Sequence, residues 1–192
     1  MDEKNVLLTG SPGVGKTTVV ERLVERARDK GKSVRGVLSP EMRNKAEGNQ
    51  KGARVGFRIT DVSTGRSEVM ARVGYDGDNT EGGDDQPSVG RYGVDVSAVD
   101  EVAREAIVAE DADLVVVDEV APMQTYSEAF VDRVHDVLDA PVPVVAVVQK
   151  ARETGFVGSV KRRDDTKLVR VTEENRDGLP DELTRLVFGD SV

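Results

Sequence analysis

Two apolar periodicities alternate along the chain. Short apolar runs bounded by turn residues predict buried strands at residues 5–9, 33–38, 114–117, 142–148 and 168–171. Between them, apolar residues spaced three and four apart predict amphipathic helices. The inward-facing residues of three such helices are Val19, Val20, Leu23, Val24 and Ala27; Val99, Val102, Ala103 and Ala106; and Phe130, Val131, Val134, Val137 and Leu138. Gly31 ends the first helix, Ser97 is predicted to cap the second, and Pro180 to begin a last one.

A region of period two interrupts this order. Residues 53–73 alternate around Ser63-Thr64-Gly65-Arg66, which predicts a β-hairpin, and the acidic, Gly-rich stretch 76–87 predicts a solvated loop. Continuous valine runs between amphipathic helices are typical of a parallel sheet covered on both faces. The pattern therefore predicts an α/β fold, a three-layer sandwich with a mostly parallel central sheet and an inserted hairpin. With no repeat or linker, residues 1–192 are predicted to form a single domain.

The amino-acid composition limits the classes of molecule that the chain is expected to bind. The 36 acidic and 27 basic residues give a net charge of −9, which disfavours nucleic acid. The absence of cysteine excludes disulfides and thiolate zinc sites. No membrane span and no signal-peptide pattern is visible, so we expect a cytoplasmic protein that does not bind membranes. The many aspartates and few aromatic residues resemble proteins adapted to high salt, although ordinary acidity gives the same pattern. The oligomeric state stays open.

The most specific motif lies between the first strand and the first helix. Residues Gly10-Ser11-Pro12-Gly13-Val14-Gly15-Lys16-Thr17 match G-x-x-x-x-G-K-[ST], the P-loop (Walker A) pattern. Its glycines allow backbone N–H groups to surround phosphate oxygens at a helix N-terminus. Lys16 is predicted to reach the β- and γ-phosphates, and the Thr17 hydroxyl to ligate Mg²⁺. A glycine-rich turn with an incidental lysine is the alternative, and the position between strand and helix disfavours it.

The strand at 114–117 delivers two carboxylates, Asp118 and Glu119. Ligands of open α/β sheets bind at the carboxyl ends of the strands. Asp118 is therefore predicted to hold Mg²⁺ indirectly, for example through water, and Glu119 to polarise a water molecule for attack on the γ-phosphate. Alone, an apolar run ending in Asp-Glu is a weak motif that also describes two exposed loop carboxylates. The phosphate loop makes the functional interpretation the stronger one.

Several sequence blocks together resemble a known family, the small nucleoside-triphosphatases of archaea and bacteria, which have relatives in animals. The blocks are residues 10–18 including Thr18, Pro40-Glu41-Met42-Arg43, Gly52-Ala53-Arg54-Val55-Gly56-Phe57 with Thr64-Gly65, Val89-Gly90-Arg91-Tyr92-Gly93-Val94, Val117-Asp118-Glu119, Pro122-Met123, Ser127-x-x-Phe130 and Asn175-Arg176-Asp177. The resemblance implies the P-loop NTPase fold and hydrolysis of ATP, GTP and other triphosphates to diphosphate and phosphate. It also implies that Glu119 is catalytic.

Two positions depart from the family pattern. Where relatives tend to carry Gly-x-Met-Glu-Leu after the carboxylate pair, this chain has Ala121-Pro122-Met123-Gln124-Thr125. Gln124 stands where the pattern has glutamate, so this chain supplies no carboxylate there. After the strand at 142–148, relatives often carry histidine and this chain carries Gln149. Gln149 can still hydrogen-bond the γ-phosphate or the attacking water, but it carries no charge.

Other polar residues each admit two interpretations. Arg43, with Glu41, either lines the nucleotide site, as the resemblance suggests, or forms a solvent-exposed ion pair. Arg176, after Asn175, either reaches a base or phosphate or belongs to an ordinary turn. Tyr92 either stacks on a base or packs.

The basic run Lys161-Arg162-Arg163 forms a phosphate-sensing lid or a solvated helix face, and His135 is predicted to be non-catalytic.

Three functions fit these residues. The first is Mg²⁺-dependent hydrolysis of nucleoside triphosphates, with Lys16 and Glu119 as catalytic residues. The second is a kinase that transfers the γ-phosphoryl group to a small molecule or polynucleotide end, with Arg162 and Arg163 in a lid. The third is a nucleotide-gated binding module that presents the hairpin to a partner.

Overall fold

The computed structural model describes residues 4–45, 52–74 and 87–189, and its strands form one ten-stranded sheet in the order β10-β1-β9-β8-β2-β4-β5-β7-β6, with β3 paired to β4. The strands are β1 (Asn5–Thr9), β2 (Val34–Leu38), β3 (Glu41–Arg43), β4 (Arg54–Asp61), β5 (Ser67–Val73), β6 (Ser88–Val89), β7 (Tyr92–Val94), β8 (Leu114–Val120), β9 (Val144–Val148) and β10 (Thr166–Arg170). Strands β10, β1, β9, β8 and β2 are parallel. The others continue the sheet antiparallel.

Helices cover both faces of the parallel strands. They are α1 (Lys16–Asp29), α2 (Val96–Ala106), α3 (Glu128–Asp139), α4 (Gly155–Lys161) and α5 (Leu179–Phe188). Successive strand residues point to opposite faces, so Leu7 packs with α2, α3 and α4, whereas Val6 and Leu8 pack with α1 and α5. The predicted three-layer α/β sandwich is thereby confirmed. None of the helices in the described ranges combines the length and apolar composition that crossing a bilayer requires.

The predicted hairpin is present but belongs to a larger antiparallel region. Strands β4 and β5 pair from Gly56↔Arg72 to Thr60↔Ser67, and their turn is closed by Asp61. The Asp61 carboxylate accepts hydrogen bonds from the backbone N–H and hydroxyl groups of Ser63 and Thr64. Strands β3, β6 and β7 extend this region and were not predicted, because two or three residues are too few to show a period. The predicted loop at 76–87 lies outside the described residues apart from Pro87.

Two sequence predictions about element ends need correction. Helix α2 is capped by Asp95, whose side chain accepts from the Ala98 N–H, so the prediction of Ser97 as the cap is wrong. Asp95 rather than Ser97 is the N-cap because Val96 packs against the core, so the first helical turn begins earlier. A carboxylate is also favoured at the positive N-terminus of a helix. Strand β8 continues to Val120, beyond the predicted end at Val117, with a register shift between these two residues.

Helix α5 begins at Leu179, one residue before the predicted Pro180. Of the predicted inward residues of α3, Val131 is only half-buried.

Candidate functional site

Three parallel strands bring the predicted site residues to one edge of the sheet. Strand β1 leads into the phosphate loop, β8 carries Asp118 and Glu119, and β9 lies between them. The register pairs Leu8 with Val147 across β1 and β9. Gln149, which directly follows β9, therefore lies between the loop and the carboxylates. This is the sheet edge at which open α/β proteins bind their ligands.

Two glycines, Gly10 and Gly15, permit the backbone conformation of the phosphate loop. Gly15, at the N-cap of α1, has φ 109°, a left-handed conformation that side chains resist. A Cβ built on Gly10 would lie 2.7 Å from the backbone oxygen of Val171, closer than atoms can approach. Between these two glycines, the Val14 N–H donates to the Ser11 oxygen at 3.3 Å, and Ser11, Pro12 and Gly13 are exposed. The loop thus has a fixed base and an open, solvent-facing rim.

Lys16 lies across this loop. Its ammonium donates to the carbonyl oxygens of Gly10 at 3.3 Å and Ser11 at 3.1 Å. The side chain is half-buried, so the charge is held at the loop. Phosphate oxygens entering the loop would meet this ammonium together with the backbone amides at the start of α1. The next residue, Thr17, is half-buried and Thr18 is exposed.

The carboxylate pair lies in a largely apolar environment. Asp118 is only 2% exposed, and burial raises its pKa to about 7, against the opposing effects of the Thr17 hydroxyl and Lys16. The proximity of Glu119 raises this pKa further. Burial also raises the pKa of Glu119, and the charges of Lys16 and Arg54 oppose that rise. Glu119 itself is half-buried, so one carboxylate is enclosed and its neighbour is partly open to solvent.

The residues around Asp118 fit a small, hard cation. Within the described ranges, the Asp118 Oδ2 atom is buried and has no hydrogen-bond partner. The Thr17 hydroxyl is close enough to lower the Asp118 pKa, so a carboxylate and a hydroxyl oxygen lie together. Mg²⁺ prefers such oxygen ligands and retains several waters. The described residues contain no cluster of three or more acidic, His or Cys ligands. A cation here would take its other ligands from water and phosphate.

The two residues predicted after β10 have different surroundings. Arg176 donates from Nη1 to the Val14 oxygen at 3.1 Å, and its Cδ lies against Gly15, so the structure brings Arg176 to the phosphate loop. Asn175 instead closes the turn that follows β10. Its Oδ1 accepts from the Thr172 N–H at 2.8 Å, and its Nδ2 donates to the Arg170 oxygen at 2.9 Å.

Arg43 participates in an ion pair at the start of the antiparallel region. Its Nη2 lies 2.5 Å from Glu41 Oε2, and its Nη1 donates to the Gly52 oxygen at 3.0 Å. Glu41 also faces a second arginine, since its Oε1 lies 3.1 Å from Arg54 Nε. It is Arg54 whose charge acts on Glu119. Arg54 was not predicted as a site residue, because the alternation of apolar and polar residues in 53–73 showed only that Arg54 begins a strand. Its place in the block Gly52–Phe57 was the one available signal.

Lys161, Arg162 and Arg163 are all held by hydrogen bonds. Lys161, with a side chain 7% exposed, donates to the Lys150 and Arg152 oxygens, and Arg162 donates to the Glu153 oxygen. Arg163 lies 2.8 Å from both Asp139 and Asp165. Arg162 is exposed, as a solvated helix face would have it, whereas the Lys161 and Arg163 side chains are largely enclosed by these contacts. Helix α4 packs back onto the segment after Gln149, which the sequence pattern does not reveal.

Tyr92 and His135 are engaged in packing. The Tyr92 ring meets Phe57 edge-on at 5.3 Å between centroids, and the Arg91 guanidinium lies over it at 5.2 Å. His135 is exposed on α3 and contacts the ring of Phe156 edge-on at 5.0 Å. The surroundings of Tyr92 fit its packing interpretation, and the non-catalytic role of His135 stays a prediction.

A glycine-rich loop between β1 and α1, facing an acidic pair on a parallel strand, defines the class of P-loop nucleotide-binding proteins. Residues 5–184 match the family described as NTPase, and the chain belongs to that family of nucleoside-triphosphatases. It is 39% identical over 188 residues to nucleoside-triphosphatase THEP1 of Thermofilum pendens, covering 96% of each chain. It is 40% identical over 186 residues to the Methanopyrus kandleri protein of that name, covering 96% of this chain and 95% of the relative.

Solved structures agree with this assignment. The crystal structure of THEP1 from the hyperthermophile Aquifex aeolicus aligns with a TM-score of 0.77 at 28% identity, covering 96% of this chain and 99% of that one. The solution structure of a human cancer-related nucleoside triphosphatase aligns with a TM-score of 0.78 at 27% identity, covering 98% and 99%. The resemblance stated from the sequence blocks, the P-loop NTPase fold and the enzyme class are confirmed.

Proposed function

We propose that this nucleoside-triphosphatase hydrolyses ATP, GTP and other nucleoside 5'-triphosphates to diphosphate and phosphate, and that it requires Mg²⁺. The observation that carries the proposal is the pairing of a buried Asp118 oxygen, without a hydrogen-bond partner among the described residues, with a half-buried Glu119 at the edge beside the phosphate loop. One carboxylate suits a metal and the other suits a water molecule.

The phosphate loop would bind the phosphates of the nucleotide. The backbone amides of residues 10–18 would surround the phosphate oxygens, and Lys16 would exchange its bonds to the loop carbonyls for bonds to the β- and γ-phosphates. Arg176 supports the loop through its bond to the Val14 oxygen. These local positive groups outweigh a net charge of −9 that is spread over the surface and screened by salt.

Thr17 and Asp118 would hold the cation. When bound with the triphosphate, the cation would neutralise negative charge on the β- and γ-phosphate oxygens. Glu119 orients the attacking water and accepts its proton, a role helped by the raised pKa of a carboxyl held in an apolar environment. Gln149, at the end of β9 between the loop and the carboxylates, supplies a neutral hydrogen-bonding group for the γ-phosphate or the water.

The first test is phosphate release with no acceptor present. We expect Glu119→Gln to bind nucleotide as the wild type does and to lose turnover by about 10²–10⁴-fold, the range typical of a lost general base. Glu110→Gln, on an exposed turn after α2, is the matched control and should keep wild-type turnover. If Glu119→Gln hydrolyses at the wild-type rate, the assignment of Glu119 is wrong.

The kinase alternative places Arg162 and Arg163 in a lid. In the structure Arg162 donates to the Glu153 oxygen and Arg163 lies between two aspartates, so a lid would have to break these contacts to reach a nucleotide. Phosphate release that needs no acceptor would argue against it directly.

The binding-module alternative predicts a specific partner in a pull-down with a non-hydrolysable nucleotide.

A further inference from the structure

The N-terminal half of β4 extends past the parallel part of the sheet. Strand β4 pairs with β2 through Asp61↔Val37 and Thr60↔Leu38. Strand β2 in turn pairs with β8 through Val37↔Val117, just before the carboxylates. Because β4 runs antiparallel to β2, its residues before Thr60 lie beyond the sheet edge that carries the site. Arg54 is the first residue of this extension.

Contacts tie this extension to neighbouring segments of the chain. A register shift between Phe57 and Arg58 interrupts the β4–β5 ladder, and such a shift bends a strand. The Arg91 guanidinium donates to the Arg54 oxygen at 2.8 Å, which ties β4 to the adjoining β6–β7 pair. The Tyr126 hydroxyl donates to the Ser88 oxygen at 3.4 Å, which ties that pair to the segment after β8. The extension is thus connected, through the β6–β7 pair, to the segment of chain that follows Glu119.

The Arg54 guanidinium is held at its base and open at its tip. Its Nε lies 3.1 Å from Glu41 Oε1, and the group lies over the Phe57 ring at 5.4 Å from the centroid. Among the described residues, no hydrogen bond uses its two terminal nitrogens. The side chain is 42% exposed, so these donors reach solvent. Its charge also acts on Glu119, in which burial raises the pKa and Lys16 and Arg54 oppose that rise.

We propose that Arg54 is a catalytic residue that binds the γ-phosphate with its terminal guanidinium nitrogens, from the side opposite the phosphate loop. The inference rests on the hydrolysis proposed above. In that reaction the water oxygen bonds to the γ-phosphorus, and the water proton passes to Glu119. The bond from the γ-phosphorus to the bridging oxygen breaks, and its electron pair stays on the diphosphate. Negative charge on the γ-oxygens is then met by Lys16 on one side and by the Arg54 fork on the other.

The ion pair with Glu41 gives Arg54 a fixed position. Without a counter-ion, a guanidinium on a bent strand would sample many rotamers, at a cost in entropy when it binds. Glu41 therefore acts as a positioning residue through Arg54, and Arg43 shares the same carboxylate from its other oxygen. The sequence blocks Pro40–Arg43 and Gly52–Phe57 meet in this contact, so both contribute to the position of Arg54.

The test measures turnover and binding separately in Arg54→Ala and Arg54→Lys. We expect kcat to fall about 10²–10³-fold in Arg54→Ala, as when an oxyanion donor is lost, with little change in affinity for a non-hydrolysable ATP analogue. Affinity for diphosphate with aluminium fluoride, a mimic of the transferring phosphoryl group, should fall by a similar factor to kcat. Arg54→Lys keeps the charge but not the planar fork, so its loss should be at least about 10-fold.

Guanidinium added to Arg54→Ala provides the readout that a structural role would not move. It should restore part of kcat in this variant and none in Glu119→Gln. Arg58→Gln is the matched control on the same strand, where the arginine is bonded to Ser67, and its turnover should stay at the wild-type value.

If the wild type hydrolyses ATP and Arg54→Ala has the same kcat, the inference fails alone. It also fails if the analogue affinity drops by the factor seen in kcat and guanidinium restores nothing. If the wild type releases no phosphate without an acceptor, the proposed function fails, and the inference with it.

Discussion

The parallel and antiparallel regions of the sheet are built differently. Strands β1, β8 and β9 are almost entirely buried on both faces, and their valine runs exclude water. Strands β4 and β5 are only partly buried, and their half-buried positions carry charges such as Glu68, which pairs with Arg66 just before β5. The parallel region therefore gains its stability from apolar burial, and the antiparallel region relies more on polar contacts.

The difference shows where each region can carry chemistry. In β1, β8 and β9 polar groups appear only at or near strand ends, so the loop, Asp118 and Gln149 converge on one edge. In the antiparallel region polar groups occur along whole strands, and their contacts decide which of them reaches the site. Arg43 is tied to Glu41 and the Gly52 oxygen, whereas Arg54 keeps free terminal donors in the part of the chain that the structure describes.

The largest expected effect in this comparison belongs to Gly10→Ala, at the end of β1. The added Cβ would lie 2.7 Å from the backbone oxygen of Val171, so the loop must shift. We expect nucleotide affinity to fall at least about 30-fold, which corresponds to about 2 kcal/mol. Titration calorimetry measures it.

Gly65→Ala in the β4–β5 turn is the control for Gly10→Ala. Its φ of 76° makes the change unfavourable by about 1 kcal/mol, but no atom lies near the new Cβ. Stability should fall modestly and affinity should hold. Equal affinity losses in the two variants would contradict the division between the regions.

A smaller effect is expected for Asp61→Asn. Burial opposes ionisation of Asp61, but hydrogen bonds from Ser63 and Thr64 outweigh it and lower the pKa. The ionised Asp61 carboxylate therefore makes its full contribution to stability above the ordinary aspartate pKa of about 4. This contribution is lost as the pH falls through the lower folded-state pKa.

Denaturant unfolding should show Asp61→Asn less stable by about 0.5–1.5 kcal/mol at pH 7. The gap to the wild type should persist down to about pH 5 and close below about pH 4. A gap independent of pH over the acid range would show that the charge of Asp61 does not matter.

The sequence predicted the parallel region well because its signals are local. Burial on both faces requires continuous apolar runs, and the phosphate loop requires glycines and a lysine at fixed spacing. The end of β8 was predicted too early, since Asp118 and Glu119 are charged and a strand is not expected to continue through them. The cap of α2 was misplaced because Asp95 and Ser97 are both good capping residues.

The antiparallel region was harder to predict, because its decisive contacts join distant residues. Nothing local to Arg54 shows that Glu41 would hold its guanidinium or that β4 would extend past its pairing with β2 at the sheet edge that carries the site. The same holds for Lys161, whose bonds to the Lys150 and Arg152 oxygens depend on how α4 packs. Sequence patterns located the strands and the helix face, but partner choice is a tertiary property.

Nucleotide binding in magnesium by the wild type and by Lys16→Ala is the most direct measurement of the central claim, that the loop and its lysine grip a metal-bound triphosphate. Lys30→Ala, at the other end of α1, is the matched control. The account predicts that the wild type and Lys30→Ala bind ATP with equal affinity, whereas Lys16→Ala shows no measurable binding. Undiminished binding by Lys16→Ala, or no binding by the wild type, would contradict it.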